Sequence, residues 1–287
     1  KQVLINSGIA GAFTAGAYYM QAAAASRNTA KVMANENVKI DAIDSPDAVF
    51  IEEAADGLNN NLSNAYRNTS VEVRQVIEQH GVTVDEFIEL LDSQRQLTNV
   101  EAALVETVRM EIGLPAEGTI MSKTIPQADI YKYIYGEYDS VRRFVSLEEH
   151  SSAITGLDAQ YEANRLDYDG SLFKPTEGVS GIGVNENSVI NVDAYTVKDT
   201  VYGKITYALD DASQVTLCTD IPSIENAPYT GRGFTASKEI ILPELVQSPR
   251  VFRTGDLLQI YDAQTGNVLR IFVYSSEKAE WILIGGI

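Results

Sequence analysis

The sequence is poor in the residues that build most metal and redox sites. Its single cysteine, Cys218, excludes an intramolecular disulfide and a cysteine-based metal cluster. The run VTLCT around it predicts a buried thiol in a strand. The two histidines, His80 and His150, have no metal-ligand partner at i+4, and they fall at predicted helix ends, where capping or surface positions are expected. We therefore predict no metal, no cofactor and no catalytic residue.

Basic residues are also scarce. Lysine and arginine total 22 against 40 aspartates and glutamates, which gives a net charge of −18 and an isoelectric point near 4.5. A surface of this sign repels phosphate backbones and favours solubility, so direct binding of nucleic acid is not expected. The 287 residues, 45% of them hydrophobic, are enough for two domains that each bury a core.

Charge is missing altogether from residues 2–26. Glycine and alanine replace most of the leucine, isoleucine and phenylalanine of a membrane span, and small residues allow another backbone to approach closely. We predict a segment that is buried in an assembly, with a membrane or signal segment and burial within the monomer as alternatives. The small residues at helical spacing form the predicted interface: Gly8, Gly11, Ala12, Ala15 and Gly16.

Helix signals dominate the middle of the chain. Ser70 precedes an apolar face that carries Val73, Val76 and Ile77, and two capping boxes follow, Thr83 with Glu86 and Thr98 with Glu101. A further helix is predicted from Ser146 with Glu149 towards Gly156, and 130–138 is either helical or irregular. We expect a helical domain at 45–169, preceded by a small-residue arm at 1–44.

Strand signals begin after the turn at 167–170, where β-branched and aromatic residues alternate with polar ones. We expect an antiparallel β domain at 170–287, so the predicted fold class is α+β, and residues 221–235 read as a long loop. The predicted strands are 189–197, 201–209, 215–219, 238–242, 257–261, 268–274 and 281–284.

One hairpin carries a family resemblance. Residues 254–266 read G-D-x-x-x-x-Y-D-x-x-T-G after Thr254, and Trp281 follows. This pattern resembles hairpins that recur in bacteriophage fibre and capsid-attached proteins. The resemblance implies a virion structural protein: a self-assembling subunit of a capsid, decoration or fibre, whose partners are copies of itself and other structural proteins of the particle. It implies no catalysis and no cofactor.

Two other functions remain as alternatives. The first is a secreted or cell-surface adhesin or ligand-binding module, with exposed tyrosines around Tyr229. The second is an enzyme, because residues 231–237 and 239–243 resemble the Ser-Thr-Ser strand and the acidic motif of ADP-ribosyltransferase toxins. In this chain Thr-Ala-Ser stands in place of Ser-Thr-Ser, and the Glu-x-Glu pair is missing.

Overall fold

A computed structural model describes residues 62–91, 96–168, 170–175, 199–218 and 232–286. The described residues from Ser63 onward belong to one compact unit. Their helices are α1 (Asn64–Asn68), α2 (Val71–Gln79), α3 (Val84–Leu91), α4 (Asn99–Ile112), α5 (Gln127–Ile134), α6 (Glu148–Ser151) and α7 (Leu157–Ala163). Their strands are β1 (Ile120–Ile125), β2 (Ser140–Leu147), β3 (Val201–Ala208), β4 (Val215–Leu217), β5 (Leu245–Val251), β6 (Leu257–Asp262), β7 (Val268–Ser275) and β8 (Glu280–Gly286).

The predicted helix starts of this region are confirmed. The Ser70 hydroxyl accepts a hydrogen bond from the Val73 amide at the start of α2, and Thr98 forms a reciprocal capping box with Glu101 at the start of α4. At the start of α3, the Glu86 carboxylate accepts from the Thr83 amide at 2.9 Å. These caps satisfy amides that have no partner within their own helix, so short local signals define where each helix begins.

The eight described strands form one antiparallel sheet in the order β4-β5-β2-β1-β3-β6-β7-β8. The sheet folds over on itself, because the Tyr207 hydroxyl of β3 donates to the Gln247 Oε1 of β5 at 2.9 Å although two strands lie between them. In a flat sheet, strands three places apart are about 14 Å apart. Strand β2 contains an irregularity of the kind that bends a sheet: its register with β5 shifts between Val141 and Arg143, and Arg143 has a φ of 67°.

The two largest hydrophobic clusters of the described residues follow from this arrangement. One lies inside the curved sheet and includes Met121, Ile205, Leu258 and Trp281. The other lies among helices α1 to α4, and it is completed by Phe234 and Ile241 from the irregular segment 232–243. The Phe87 and Phe234 rings meet edge to face with centroids 5.5 Å apart. The protein is therefore an α+β protein, as predicted.

The sheet includes strands from both sides of the domain boundary that the sequence predicted between residues 169 and 170. Strands β1 and β2 come from the range 45–169 and lie between β3 and β5. The predicted helix start at Ser146 is wrong, because Ser146 pairs with Ser122 inside the sheet and α6 has only four residues. The predicted strand 238–242 is also wrong, since this segment is irregular and is packed against the helices.

Several predictions fall on residues that the structure does not describe. The arm at 1–44 and the strand at 189–197 lie outside the described ranges, as does most of the loop at 221–235. Strand β3 matches the predicted 201–209, and β6, β7 and β8 match the predicted C-terminal meander. Strand β5 was not predicted.

Candidate functional site

The five residues of the predicted interface, Gly8, Gly11, Ala12, Ala15 and Gly16, lie outside the described residues, and so does Tyr229. Among the described residues, titratable side chains in unusual surroundings fall into two groups. One is the Glu72–Glu149–His150 cluster, and the other is a set of buried and partly buried polar groups around Glu244.

The two histidines differ in their surroundings. His80 is the C-cap of α2, as its position in the sequence predicted, and its Nε2 lies 2.9 Å from the Glu111 Oε2 in α4. His150 lies in α6 and is only 3% exposed, so it does not have the surface position expected for it. Burial lowers the pKa of His150, which favours the neutral imidazole.

His150 belongs to a cluster with two exposed carboxylates, Glu72 and Glu149. One ligand atom from each of the three residues lies within 4.8 Å of the other two, and the His150 Nε2 is 3.6 Å from the Glu72 Oε2. In the part of the chain that the structure describes, no hydrogen bond of ordinary length reaches either ring nitrogen of His150, and the 3.6 Å contact with Glu72 is the nearest to one. An imidazole facing two carboxylates can serve as a metal ligand or as a base.

The sequence analysis missed this cluster because Glu72 is far from Glu149 and His150 along the chain. Glu72 lies in the first turn of α2, and α6 begins only after strand β2 has ended. The spacing rules for histidine metal sites search for partners one helical turn away, and His150 has none there. The adjacent pair Glu149-His150 was the one local indication of the cluster, because it places a carboxylate and an imidazole next to each other.

The second group comprises Arg109, Lys123, Cys218 and Glu244. The Cys218 thiol is hydrogen-bonded to the Glu244 carboxylate, and Arg109 and Lys123 lie near enough to interact with it electrostatically. Burial raises the pKa of Glu244 to about 7 and lowers that of Arg109 to about 10. Although Lys123 is partly exposed, loss of hydration around its ammonium lowers its pKa to about 8.

Perturbed pKa values of this kind are found at many active sites, and they also occur in structural ion networks. Here Arg109 and Cys218 are 1% and 2% exposed, so their functional groups are closed to a substrate. Arg109 donates to three main-chain carbonyls, those of Gly113, Gly233 and Glu244. This arrangement joins the end of α4 to the start of β5, which makes a contribution to stability the best-supported role for the group.

The raised pKa of Glu244 predicts a pH-dependent stability. The folded chain holds the proton up to about pH 7, whereas the unfolded carboxyl has the ordinary value of 4.5. The contribution of Glu244 is therefore full below about pH 4.5 and is lost as the pH rises to about 7, a change on the order of 1–3 kcal/mol. Urea unfolding of the native chain and of Glu244→Gln, at about pH 5 and about pH 8, measures it.

The Glu244→Gln variant should lose less stability than the native chain between these two pH values, because its amide does not titrate. Glu277→Gln, at an exposed position in the β7–β8 turn, is the control and should follow the native pH profile. Parallel profiles for the native chain and Glu244→Gln would show that Glu244 does not hold a proton in the folded state.

The hairpin with the virion resemblance is explained by its own packing. The Asp256 carboxylate accepts from the Arg250 Nη1 at 2.7 Å, and Asp262 accepts from the Thr265 amide at 2.7 Å within the turn. The Tyr261 ring stacks on Tyr202 with centroids 5.1 Å apart. These residues therefore fold and anchor the hairpin, and the virion assignment stays a prediction.

The segment that resembles the toxin motif has a different geometry from the one the motif requires. The Ser237 hydroxyl donates to the Glu162 carboxylate at 2.7 Å and accepts from the Glu239 amide at 3.0 Å. Glu239 is exposed. Residues 232–243 contain no strand, and a single bridge joins Phe234 to Pro243. The toxin motif requires a serine-containing element and an acidic element on two separate strands. The described residues 232–243 do not form these two strands.

Strand β8 forms one end of the sheet. Among the described strands it pairs with β7 alone, so one side of its backbone has no strand partner there. Leu283 is 52% exposed and Ile284 is 37% exposed. Neither lysine nor proline occurs within Glu280–Gly286, and these are the residues that commonly protect an edge strand from pairing. As far as the described residues go, no strand covers this edge, and it could accept a further strand.

No family model matches the chain, and neither the curated proteins nor the solved structures contain a significant match to it. Among the described residues, no helix has both the length and the apolar character needed to cross a bilayer.

Proposed function

We propose that this protein is a structural subunit that assembles with copies of itself into a large homo-oligomeric particle, such as a virion. The observation that carries the proposal is strand β8, which has no second strand partner among the described strands and has Leu283 and Ile284 exposed. An edge of this kind is a template on which a strand of another chain can pair. We assign this partner strand to a second copy of the same chain.

The uncharged residues 2–26 support the same proposal from the sequence. A long stretch without charge needs an apolar surface to cover it, and in a homo-oligomer each copy supplies such surfaces to its neighbours. Glycines in that stretch allow close backbone contact. The virion part of the proposal rests on the hairpin resemblance at 254–266, and other structural proteins of the particle are the further partners it implies.

Charge sets a condition on this assembly. Each copy carries a net charge of −18, so copies repel one another and apolar contacts must supply the attraction. Salt screens the repulsion between exposed charges. Assembly should therefore be stronger at high ionic strength, which is the opposite of what contacts between unlike charges would give.

The test is the particle mass of the purified chain, measured by light scattering and checked by negative-stain microscopy. The intact chain should form a large regular species, and deletion of residues 2–26 should leave folded single chains. Introducing Leu283→Lys and Ile284→Lys together should weaken assembly at least tenfold in concentration, because charge on an edge strand opposes pairing. Val100→Lys is the control, since Val100 is 80% exposed on α4 and lies away from β8.

Two further variants test the packing of the small residues. Gly11→Leu should block association much more strongly than Ala23→Leu, because Ala23 lies outside the small-residue stripe. Equal effects would mean that the segment packs in another register. An intact chain that stays a monomer at all salt concentrations would contradict the proposal and would favour the adhesin or ligand-binding alternative.

A further inference from the structure

We propose that Glu72, Glu149 and His150 form a binding site for a divalent first-row transition-metal ion, with Zn²⁺ as the best match. The site is independent of the assembly proposed above. One imidazole nitrogen with two carboxylate oxygens is a donor set that zinc accepts readily, with water completing the coordination. Calcium and magnesium prefer oxygen donors alone, and the imidazole therefore selects against them.

The first support is the state of His150. The residue is 3% exposed, and neither ring nitrogen has a hydrogen bond of ordinary length within the described ranges: Nε2 has only the 3.6 Å contact with Glu72. A buried polar group without a partner costs about 1–3 kcal/mol, so native structures rarely keep one without a reason. A metal ion between Nε2 and the Glu72 carboxylate would replace this long contact by two short bonds.

The second support is distance. The His150 Nε2 and the Glu72 Oε2 are 3.6 Å apart, which is longer than an ordinary hydrogen bond. Two ligands of one tetrahedral zinc ion, with bonds of about 2.0–2.1 Å, are separated by about 3.4 Å. The three ligand atoms, all within 4.8 Å of one another, need only small side-chain movements to surround an ion.

The third support is the surroundings of the cluster. The neighbouring Glu148 carboxylate is paired with the buried Lys204 at 2.8 Å, so it is committed elsewhere and leaves the set at three protein ligands. Glu72 and Glu149 are exposed, which leaves access for the ion and for water ligands. Because Glu72 lies on α2 and the other two ligands follow β2, a bound ion would join the helical core to the curved sheet.

The experiment is calorimetric titration of Zn²⁺ into the full chain, freed of any affinity tag and stripped with a chelator. We expect one ion to bind per chain. His150→Gln, Glu72→Gln and Glu149→Gln should each weaken binding at least tenfold, as loss of a ligand or of its support does at known sites. Glu78→Gln, another exposed glutamate of α2, and His80→Gln are the matched controls and should bind as the native chain does.

Co²⁺ provides a second readout, because its visible absorption reports the coordination geometry and is lost if His150 no longer binds. Zinc should also raise the melting temperature of the native chain and of both controls, and leave the three ligand variants unchanged. Circular dichroism of Glu72→Gln and Glu149→Gln, whose side chains are exposed, verifies that these variants fold. Absence of Zn²⁺ binding, or equal binding by the native chain and the folded ligand variants, would overturn the proposal.

Discussion

The Arg109→Ala variant is expected to lose about 3–5 kcal/mol of unfolding free energy, the size observed when a buried charged group is removed from its partners. Arg109 is 1% exposed, which is exceptional for an arginine. Its Nε donates to the Gly233 carbonyl at 2.8 Å and its Nη1 to the Gly113 carbonyl at 2.9 Å. These bonds tie α4 to the irregular segment 232–243, so their loss should loosen both.

The packing around Arg109 adds a second contribution. A Cβ at Gly233 would lie 2.7 Å from the Arg109 Cγ, so glycine is required where the backbone of segment 232–243 contacts the Arg109 side chain. Gly233 also has a φ of +80°, a conformation that glycine adopts without strain. Truncation to alanine therefore opens a cavity beside a backbone that fits closely around the arginine, and cavities are costly in proportion to their volume.

Urea unfolding monitored by circular dichroism measures the effect, and two variants separate its parts. Arg109→Met keeps most of the volume but loses the hydrogen bonds, so the difference between the Met and Ala variants reports the cavity. Arg270→Ala, at an exposed position in β7, should change stability by less than about 0.5 kcal/mol. A loss of under 1 kcal/mol for Arg109→Ala would contradict the structural role assigned here.

Helices were the part of this fold that could be predicted from sequence. The caps at Ser70, Thr83 and Thr98 depend on residues at most three positions apart, so a local pattern contains all the information. Ser146 with Glu149 has the same spacing and yet forms no helix start. There the sheet determines the outcome, because Ser146 pairs with Ser122 in β1.

The sheet was predictable only in part. Strand β3 and the meander β6 to β8 are rich in β-branched and aromatic residues, and they were found. Strands β1, β2 and β5 were missed because lysine, arginine or proline interrupts them, as Pro249 does in β5. Their charged groups find partners that only the folded chain provides, such as the Asp256 that binds Arg250 of β5.

The candidate metal site could not be predicted for a related reason. Glu72 and His150 come together only because α2 packs near the end of β2, and no spacing rule links residues so far apart. The same holds for Arg109, whose carbonyl partners at Gly233 and Glu244 lie more than a hundred residues away. Local chemistry can be recognised in a sequence, whereas convergence of distant residues requires the fold.

The second large effect is expected for Trp281→Ala, which should cost about 3–5 kcal/mol through the cavity that it leaves. Trp281 is the single tryptophan of the chain and is 7% exposed. Its ring centroid lies 4.9 Å from that of Phe252 and 5.2 Å from that of Tyr274. These three rings close the core of the curved sheet where β8 meets β7. Phe252 and Tyr274 also contact each other, with centroids 5.4 Å apart, so removal of the indole leaves a gap beside both rings.

A milder substitution at the same position tests whether the cavity explains the loss of stability. The Trp281 Nε1 has no hydrogen-bond partner within the described residues, and a buried donor without one is itself destabilising. Trp281→Phe loses ring volume but also removes this donor, so it should cost only about 1–2 kcal/mol, well below the alanine variant. Urea unfolding of these variants is followed by circular dichroism, because both lack the single tryptophan and its fluorescence signal. Leu283→Ala, on the exposed face of β8, is the control and should cost less than about 1 kcal/mol. Equal losses for Trp281→Ala and Leu283→Ala would mean that the aromatic cluster does not hold β8 in the sheet.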